Sequence, residues 1–130
     1  MNKTLIISNR LPLQVSILKD EIEVTPSVGG LATGLKTVHK EGNGIWIGWS
    51  GITNEELNTE LETKVNKAIT REQCVSVNLT QNDLDLYYYG FSNRTLWPLF
   101  HYFIEYTEYS PESWEAYKAV NQKFADKVLE

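Results

Sequence analysis

Short apolar runs alternate with amphipathic stretches along this chain of 130 residues. Three of the runs, at positions 4–8, 45–49 and 74–79, have the length and apolar content of buried strands. The first two end in polar or glycine-containing loops, and amphipathic segments separate all three. This arrangement predicts a mostly parallel sheet with helices packed against it.

The segment between the first two strands carries a hairpin pattern and then a helical one. Positions 13–24 alternate apolar and polar residues around Lys19-Asp20-Glu21, which predicts a β-hairpin that Pro26 ends. The glycine loop Ser27-Val28-Gly29-Gly30 follows, and positions 31–40 place their apolar residues on one helix face. The hairpin is therefore an addition to the βαβ pattern.

Helical periodicity dominates the rest of the chain. Positions 57–69 repeat an apolar residue every four positions, which predicts an amphipathic surface helix capped by Thr53 through Glu56. A further helix is expected to begin after Thr80, and Gly90 and Pro98 predict that its aromatic-rich continuation is broken into two pieces. Ser110-Pro111 begins a last helix, with one face predicted to hold Trp114, Tyr117, Val120, Phe124 and Val128.

Composition narrows the class of protein. Hydrophobic residues make up 42% of the chain, which is enough for a core, and the net charge of -5 argues against binding to duplex nucleic acid. No segment approaches the ~20 apolar residues of a membrane helix. The single cysteine, Cys74, has no partner for an internal disulfide and no metal-ligand spacing around it. We therefore expect a cytoplasmic protein without a metal, a cofactor or a membrane partner.

Gly29 and Gly30 are candidate phosphate-binding residues. They lack Cβ atoms, so a ligand can approach the backbone closely, and the helix that follows presents free N–H groups. A plain tight turn before a helix explains the pair equally well, because glycine pairs are common in turns.

Arg10 and the segment from Tyr87 to Pro98 are further candidates. Arg10 follows a strand end, where a guanidinium can hold a phosphate with two parallel hydrogen bonds, although a solvated surface arginine is the commoner alternative. Tyrosine hydroxyls and a tryptophan face suit a sugar phosphate, whereas ordinary core packing is the alternative. Three consecutive tyrosines, Tyr87-Tyr88-Tyr89, cannot all point inward.

Together these segments resemble one family. They are Ser8-Asn9-Arg10-Leu11-Pro12, Ser27-Val28-Gly29-Gly30-Leu31-Ala32-Thr33-Gly34-Leu35, Trp46-Ile47-Gly48-Trp49-Ser50-Gly51 and Phe91-Ser92-Asn93-Arg94-Thr95-Leu96-Trp97-Pro98-Leu99-Phe100-His101-Tyr102. In this order they resemble the trehalose-6-phosphate synthases, and Trp114-Glu115-Ala116-Tyr117 continues the match. The resemblance covers nearly the whole chain.

The resemblance implies a retaining glycosyltransferase of the GT-B fold that transfers glucose from UDP-glucose to glucose 6-phosphate. Positions 1–130 would be a truncated, Rossmann-like, acceptor-side N-terminal domain of such an enzyme, and no metal is implied. Arg10, Tyr88, Trp97 and Trp49 match residues at the glucose 6-phosphate site. Gly29 and Gly30 match the loop that approaches the donor diphosphate.

The chain lacks the family's later His-Asp-Tyr-His motif and the C-terminal domain that holds UDP. We therefore expect a longer parent, with or without a phosphatase domain, and a fragment that is inactive alone and self-associates. A non-catalytic regulatory or sugar-phosphate-binding module of the same fold is the alternative. A relative of glycogen synthase is a third hypothesis, against which the Ser8-Asn9-Arg10 segment argues.

Overall fold

The computed structural model describes residues 3–130. Within this range the elements are β1 (Leu5–Arg10), β2 (Leu13–Leu18), β3 (Glu21–Pro26), α1 (Gly30–Gly34), α2 (Lys36–Lys40), β4 (Ile45–Trp49), a 3-10 turn (Asn54–Glu56), α3 (Thr59–Thr70), β5 (Cys74–Ser76), α4 (Gln81–Asp83), a π-helix (Leu84–Leu96), α5 (Trp97–Phe100), a second 3-10 turn (Ile104–Tyr106) and α6 (Pro111–Leu129). The chain divides into two compact units, one that ends at Asn78 and one that runs from Leu79 to Glu130.

The first unit is built on a three-stranded parallel sheet in the order β1-β4-β5, as the apolar runs predict. Gly48 in β4 is required by the close approach of β1. A Cβ atom there would lie 2.8 Å from the carbonyl oxygen of Ser8 and 2.9 Å from the amide nitrogen of Leu11. The register of β1 shifts beside this contact, between Ile7 and Arg10. The third strand is shorter than predicted, because its pairing ends at Ser76.

The predicted hairpin is confirmed. Strands β2 and β3 pair antiparallel, and Lys19 and Asp20 form the two-residue turn with positive φ angles of 49° and 63°. Such turns match the twist of the strands they join. The apolar side of the hairpin packs against a buried cluster that contains Leu11, Leu13, Trp46, Val65, Ile69 and Cys74. The sheet, the hairpin and α3 therefore share one hydrophobic core.

The prediction of a single helix at positions 31–40 is wrong in one respect, because this segment forms two helices, α1 and α2. Leu35 separates them with φ -101° and ψ 3°. Gly34 precedes this residue, and glycine is unfavourable in a helix interior by about 1 kcal/mol. Leu35 is half-buried and packs against the core cluster at the position where the helix is interrupted.

The capping prediction for α3 is also corrected. Thr53 and Glu56 do form a capping box, but it closes the 3-10 turn that precedes the helix. Asn58 caps α3 instead, since its side-chain oxygen accepts a 2.8 Å hydrogen bond from the amide of Leu61. Leu57 lies between the two caps in an extended conformation, with ψ 134°. A single helix therefore cannot continue from the 3-10 turn into α3. The predicted apolar face is confirmed by the buried Leu61, Val65 and Ile69.

In the second unit, the predicted break at Gly90 is wrong. Helical structure continues from α4 through the π-helix into α5. Gly90 is buried, and a Cβ atom there would lie 2.8 Å from Oγ of Ser113 and 3.1 Å from the carbonyl oxygen of Asp85. This glycine therefore permits close packing rather than ending a helix. Pro98 lies in the first turn of α5, where a missing N–H is tolerated.

The last helix begins as predicted. The Ser110 hydroxyl accepts a hydrogen bond of 3.2 Å from the amide of Ser113, and Pro111 occupies the first turn. Its predicted apolar face is only partly buried: Val120 is fully buried, whereas Trp114 is 44% exposed. Aromatic contacts hold α6 to the π-helix, with ring centroids 4.6 Å apart for Phe91 and Tyr117.

Candidate functional site

Arg10 and Trp49 lie together at the carboxyl ends of neighbouring strands. They are register partners in the pairing of β1 with β4, and the amide of Leu11 donates a 2.9 Å hydrogen bond to the Trp49 carbonyl. The Arg10 guanidinium lies over the Trp49 ring, with Cζ 5.3 Å from the ring centroid. A cation at this distance is attracted by the ring face. The structure thus brings two of the predicted site residues into contact.

A chain of hydrogen bonds fixes the backbone of Arg10. The indole N–H of Trp46 donates to Oγ of Ser8 at 2.7 Å, and that hydroxyl donates to the carbonyl of Arg10 at 2.7 Å. Ser8 and Trp46 belong to the motifs used for the resemblance, but their contribution to the site was not predicted. A serine within a strand carries no local signal for a partner that lies far away in the sequence.

The charge of Arg10 is not neutralised by the described part of the chain. Among residues 3–130, no carboxylate forms an ion pair with its guanidinium, and the side chain is exposed. An arginine held against a ring without an acidic partner is available to an external anion. This observation favours the binding alternative for Arg10 over the purely solvated one.

Gly29 and Gly30 are not required by the fold of the first unit. Gly29 has an extended conformation, with φ -72° and ψ 151°, which other residues also adopt. A Cβ atom at Gly29 would approach no nearer than 3.9 Å, to Oγ of Ser27, and one at Gly30 would have no neighbour within 4 Å. Neither a tight turn nor internal packing therefore requires glycine at either position.

A cavity of about 280 Å³ lies next to this loop. Ser27 and Val28 line one part of it, and Lys36, His39 and Trp46 line another. Its second lysine, Lys40, is bound to Glu72 at 2.5 Å, whereas Lys36 has no ion pair within the described range. The loop thus lies beside an uncompensated positive charge.

The three consecutive tyrosines have separate environments. Tyr87 stacks on Tyr117 of α6, with ring centroids 5.9 Å apart, and burial raises its pKa to about 12. Tyr88 is half-buried and contacts Tyr89 edge to face, with centroids 5.1 Å apart, while Tyr89 is 53% exposed. The core-packing alternative therefore describes Tyr87, and Tyr88 is left with a partly accessible side chain.

Tyr88 and Trp97 lie in consecutive parts of one helical segment. Tyr88 belongs to the π-helix (Leu84–Leu96), and Trp97 is the first residue of α5. Trp97 is 54% exposed and stacks on His101, with centroids 4.0 Å apart.

The described residues offer neither a metal-binding cluster nor a reactive thiol. Within residues 3–130 there is no group of three or more His, Cys, Asp or Glu side chains that could hold a metal ion. Burial raises the pKa of the Cys74 thiol to about 12, which makes it a poor nucleophile. Over the same residues, no helix is both long enough and apolar enough to cross a membrane.

Known proteins match this chain over nearly its full length. The profile of glycosyltransferase family 20 matches residues 2–130. The bifunctional trehalose-6-phosphate synthase/phosphatase of Thermoproteus tenax is 38% identical, and the alignment covers 98% of this chain and 18% of that protein.

Solved structures agree with the sequence relatives. An Escherichia coli structure bound with UDP-2-fluoro glucose has a TM-score of 0.67 and 32% identity, over 98% of this chain and 25% of that chain. The UDP-forming synthase of Burkholderia xenovorans in complex with glucose-6-phosphate has a TM-score of 0.64 and 28% identity, over 99% of this chain and 25% of that chain.

These neighbours confirm the predicted α/β fold with its parallel sheet and added hairpin. The chain spans a quarter or less of the length of these relatives. Because the family profile covers nearly every residue, the chain belongs to glycosyltransferase family 20.

Proposed function

We propose that this chain is the acceptor-side, N-terminal part of a trehalose-6-phosphate synthase. The whole enzyme would transfer glucose from UDP-glucose to glucose 6-phosphate, releasing UDP in the cytoplasm. The observation that carries the proposal is the Arg10 guanidinium held over Trp49 with no carboxylate partner in the described chain. This is an anion-binding arrangement at the carboxyl end of parallel strands, where ligands of open α/β sheets bind.

For the acceptor, Arg10 would bind the phosphate region of glucose 6-phosphate, with Trp49 as the surface beneath the guanidinium. Tyr88 would donate its hydroxyl to the acceptor phosphate, and Trp97 would contact the sugar ring. Tyr88 is half-buried and Trp97 is 54% exposed, so both side chains are accessible for these two roles. A related synthase has been solved in complex with glucose-6-phosphate, which supports the choice of acceptor.

For the donor, the backbone at Gly29 and Gly30 would approach the diphosphate of UDP-glucose. Two features support this role: neither glycine is required by the fold, and Lys36 brings positive charge to the adjoining cavity. A relative has been solved bound with UDP-2-fluoro glucose.

The reaction would proceed with retention and without a metal, as the family resemblance implies. The donor and the acceptor hydroxyl would meet on one face of the glucose, and the leaving phosphate would accept the proton of that hydroxyl. Within this chain, the residues named above bind and orient substrate. We therefore expect the 130-residue chain to lack turnover by itself. The alternative of a non-catalytic module is less well supported, because the acceptor residues Arg10, Tyr88 and Trp97 are all present.

Self-association of the isolated chain is also proposed. In the first unit, Leu5 and Ile7 are exposed on β1, which is an edge strand of the sheet. In the second unit, Phe100, Tyr102 and Tyr106 are each at least 70% exposed. Unpaired strand edges and apolar patches favour association. Light scattering at tens of micromolar should show a dimer or larger species, and a strict monomer would contradict this proposal.

The proposed function can be tested on this chain by comparing two ligands. We expect glucose 6-phosphate to shift the NMR signals of Arg10 and the Trp49 indole, and glucose to leave them unchanged at equal concentration. Arg10→Ala should abolish the difference between the two ligands. Equal responses to glucose and glucose 6-phosphate would contradict a phosphate-binding role at this position.

A further inference from the structure

Gly51 lies beside the guanidinium of Arg10, and its position has a steric consequence for that side chain. A Cβ atom at Gly51 would meet Nη2 of Arg10 in a clash and would lie 3.1 Å from Cζ and 3.7 Å from Nε. The guanidinium therefore occupies the space that any other residue at this position would fill. Trp49 supplies the second wall, with its ring centroid 5.3 Å from Cζ. We call this space the Arg10 slot, bounded by Trp49 and Gly51.

The turn that forms the slot is held by its own hydrogen bonds. The indole N–H of Trp49 donates to the carbonyl of Ile52 at 2.9 Å, and the amide of Ile52 donates to Oγ of Ser50 at 3.4 Å. Ser50 is buried. Gly51 has φ +93°, a conformation that favours glycine. The two walls of the slot therefore lie at the last residue of β4 and in the constrained turn that follows it.

The clash at Gly51 differs in kind from the one at Gly48. A Cβ atom at Gly48 would meet backbone atoms of Ser8 and Leu11, which cannot move without disturbing the sheet. A Cβ atom at Gly51 would instead meet the far end of the flexible Arg10 side chain. The steric effect of a substitution at Gly51 therefore falls on the orientation of Arg10 rather than on the strand pairing.

We propose that Gly51 is a positioning residue for Arg10: by lacking a side chain, it holds the guanidinium in the Arg10 slot, where its hydrogen-bonding edge can meet a phosphate. The ligand in this inference rests on the proposed function, whereas the position of Arg10 does not. Bidentate binding of a phosphate depends on the plane of the guanidinium. Displacement of that plane should weaken phosphate binding while it leaves the contacts to the sugar intact.

The position of Arg10 can be tested by NMR on this chain. The ring current of Trp49 should shift the side-chain protons of Arg10 upfield, and Gly51→Ala and Gly51→Asn should both abolish that shift. Asparagine tolerates positive φ better than alanine, so the second variant keeps the test valid if the first fails to fold. Gly34→Ala, whose Cβ atom would have no neighbour within 4 Å, is the control and should leave the shift unchanged. An unchanged Arg10 shift in a folded Gly51 variant would overturn the proposal.

The consequence for binding can be measured by titrating the same variants with glucose 6-phosphate. Gly51→Asn should weaken the affinity about tenfold, the equivalent of one hydrogen bond to a charged group. If Arg10→Ala weakens binding and Gly51→Asn does not, the positioning role is wrong. If Arg10→Ala has no effect, the role of Arg10 in the proposed function is wrong, and the ring-current result decides about Gly51 independently.

Discussion

The indole N–H of Trp46 donates a 2.7 Å hydrogen bond to the hydroxyl of Ser8, and this bond joins two neighbouring parallel strands through their side chains. Trp46 is 1% exposed, so its N–H has no access to bulk water. The Ser8 hydroxyl in turn donates a hydrogen bond to the carbonyl of Arg10. The anion-binding candidate is thus connected to the most buried tryptophan of the core.

Ser8→Ala should therefore destabilise the chain. It leaves a buried N–H without its acceptor, which costs about 1–3 kcal/mol of unfolding free energy. Urea denaturation followed by fluorescence measures the loss. Ser16→Ala, at an exposed position of the hairpin, is the matched control and should change the stability by less than about 0.5 kcal/mol. Equal losses for the two variants would show that the Trp46 bond contributes nothing.

Alanine substitutions at Gly29, Gly30 and Gly48 should distinguish a glycine that the fold requires from glycines that it does not require. Gly29→Ala and Gly30→Ala should leave the unfolding free energy unchanged or raise it by up to about 1 kcal/mol, because both backbone conformations suit alanine. Gly48→Ala should lower it by about 1–3 kcal/mol, because its Cβ meets backbone atoms. Thermal unfolding measures all three. A loss at Gly30 as large as that at Gly48 would restore the tight-turn explanation.

The ion pair of Asp83 with Lys123 should make the stability depend on pH at the acid end. Burial by itself raises the pKa of Asp83, but hydrogen bonds from Lys123 and Thr80 outweigh it and hold the pKa below its ordinary value. A carboxyl with a lowered folded-state pKa stabilises the fold above the unfolded-state pKa of ~3.9, and this contribution is lost as the pH falls through the folded-state value.

Lys123→Gln tests this dependence. At neutral pH it should lower the unfolding free energy by about 1 kcal/mol, and the difference from the wild type should vanish once Asp83 is protonated. Urea denaturation across the acid range measures both. Lys118→Gln removes an exposed ion pair with Glu115 on the same helix and should have little effect at any pH. A loss for Lys123→Gln that persists in acid would contradict the assignment.

Tyr87 and Tyr88 should respond differently to loss of the hydroxyl. Tyr88→Phe should leave the unfolding temperature unchanged and weaken glucose 6-phosphate binding about tenfold, if its hydroxyl binds the acceptor phosphate. Tyr87→Phe should leave ligand affinity unchanged, because the Tyr87 ring is stacked on Tyr117. NMR titration and thermal unfolding of each variant provide the two measurements. Reversed effects would assign the ligand contact to Tyr87.

Much of the fold follows from local patterns. The alternation at positions 13–24 encodes the hairpin, and the four-residue repeat of Leu61, Val65 and Ile69 encodes the face of α3, because side-chain direction depends on the period of each element. The helix interruption at Leu35 and the continuous helix through Gly90 could not be predicted in this way. Both depend on what packs against those residues from elsewhere in the chain.

The sequence by itself determined the order of strands and helices, the hairpin and the family, because periodicity and short motifs are local properties of the chain. Only the tertiary structure decided that Arg10 lies in a slot between Trp49 and Gly51, and that Tyr87 rather than Tyr88 stacks on Tyr117 of α6. The physical reason is the same in both cases. These contacts depend on strand register and helix geometry, which arise from packing between residues that are distant in sequence.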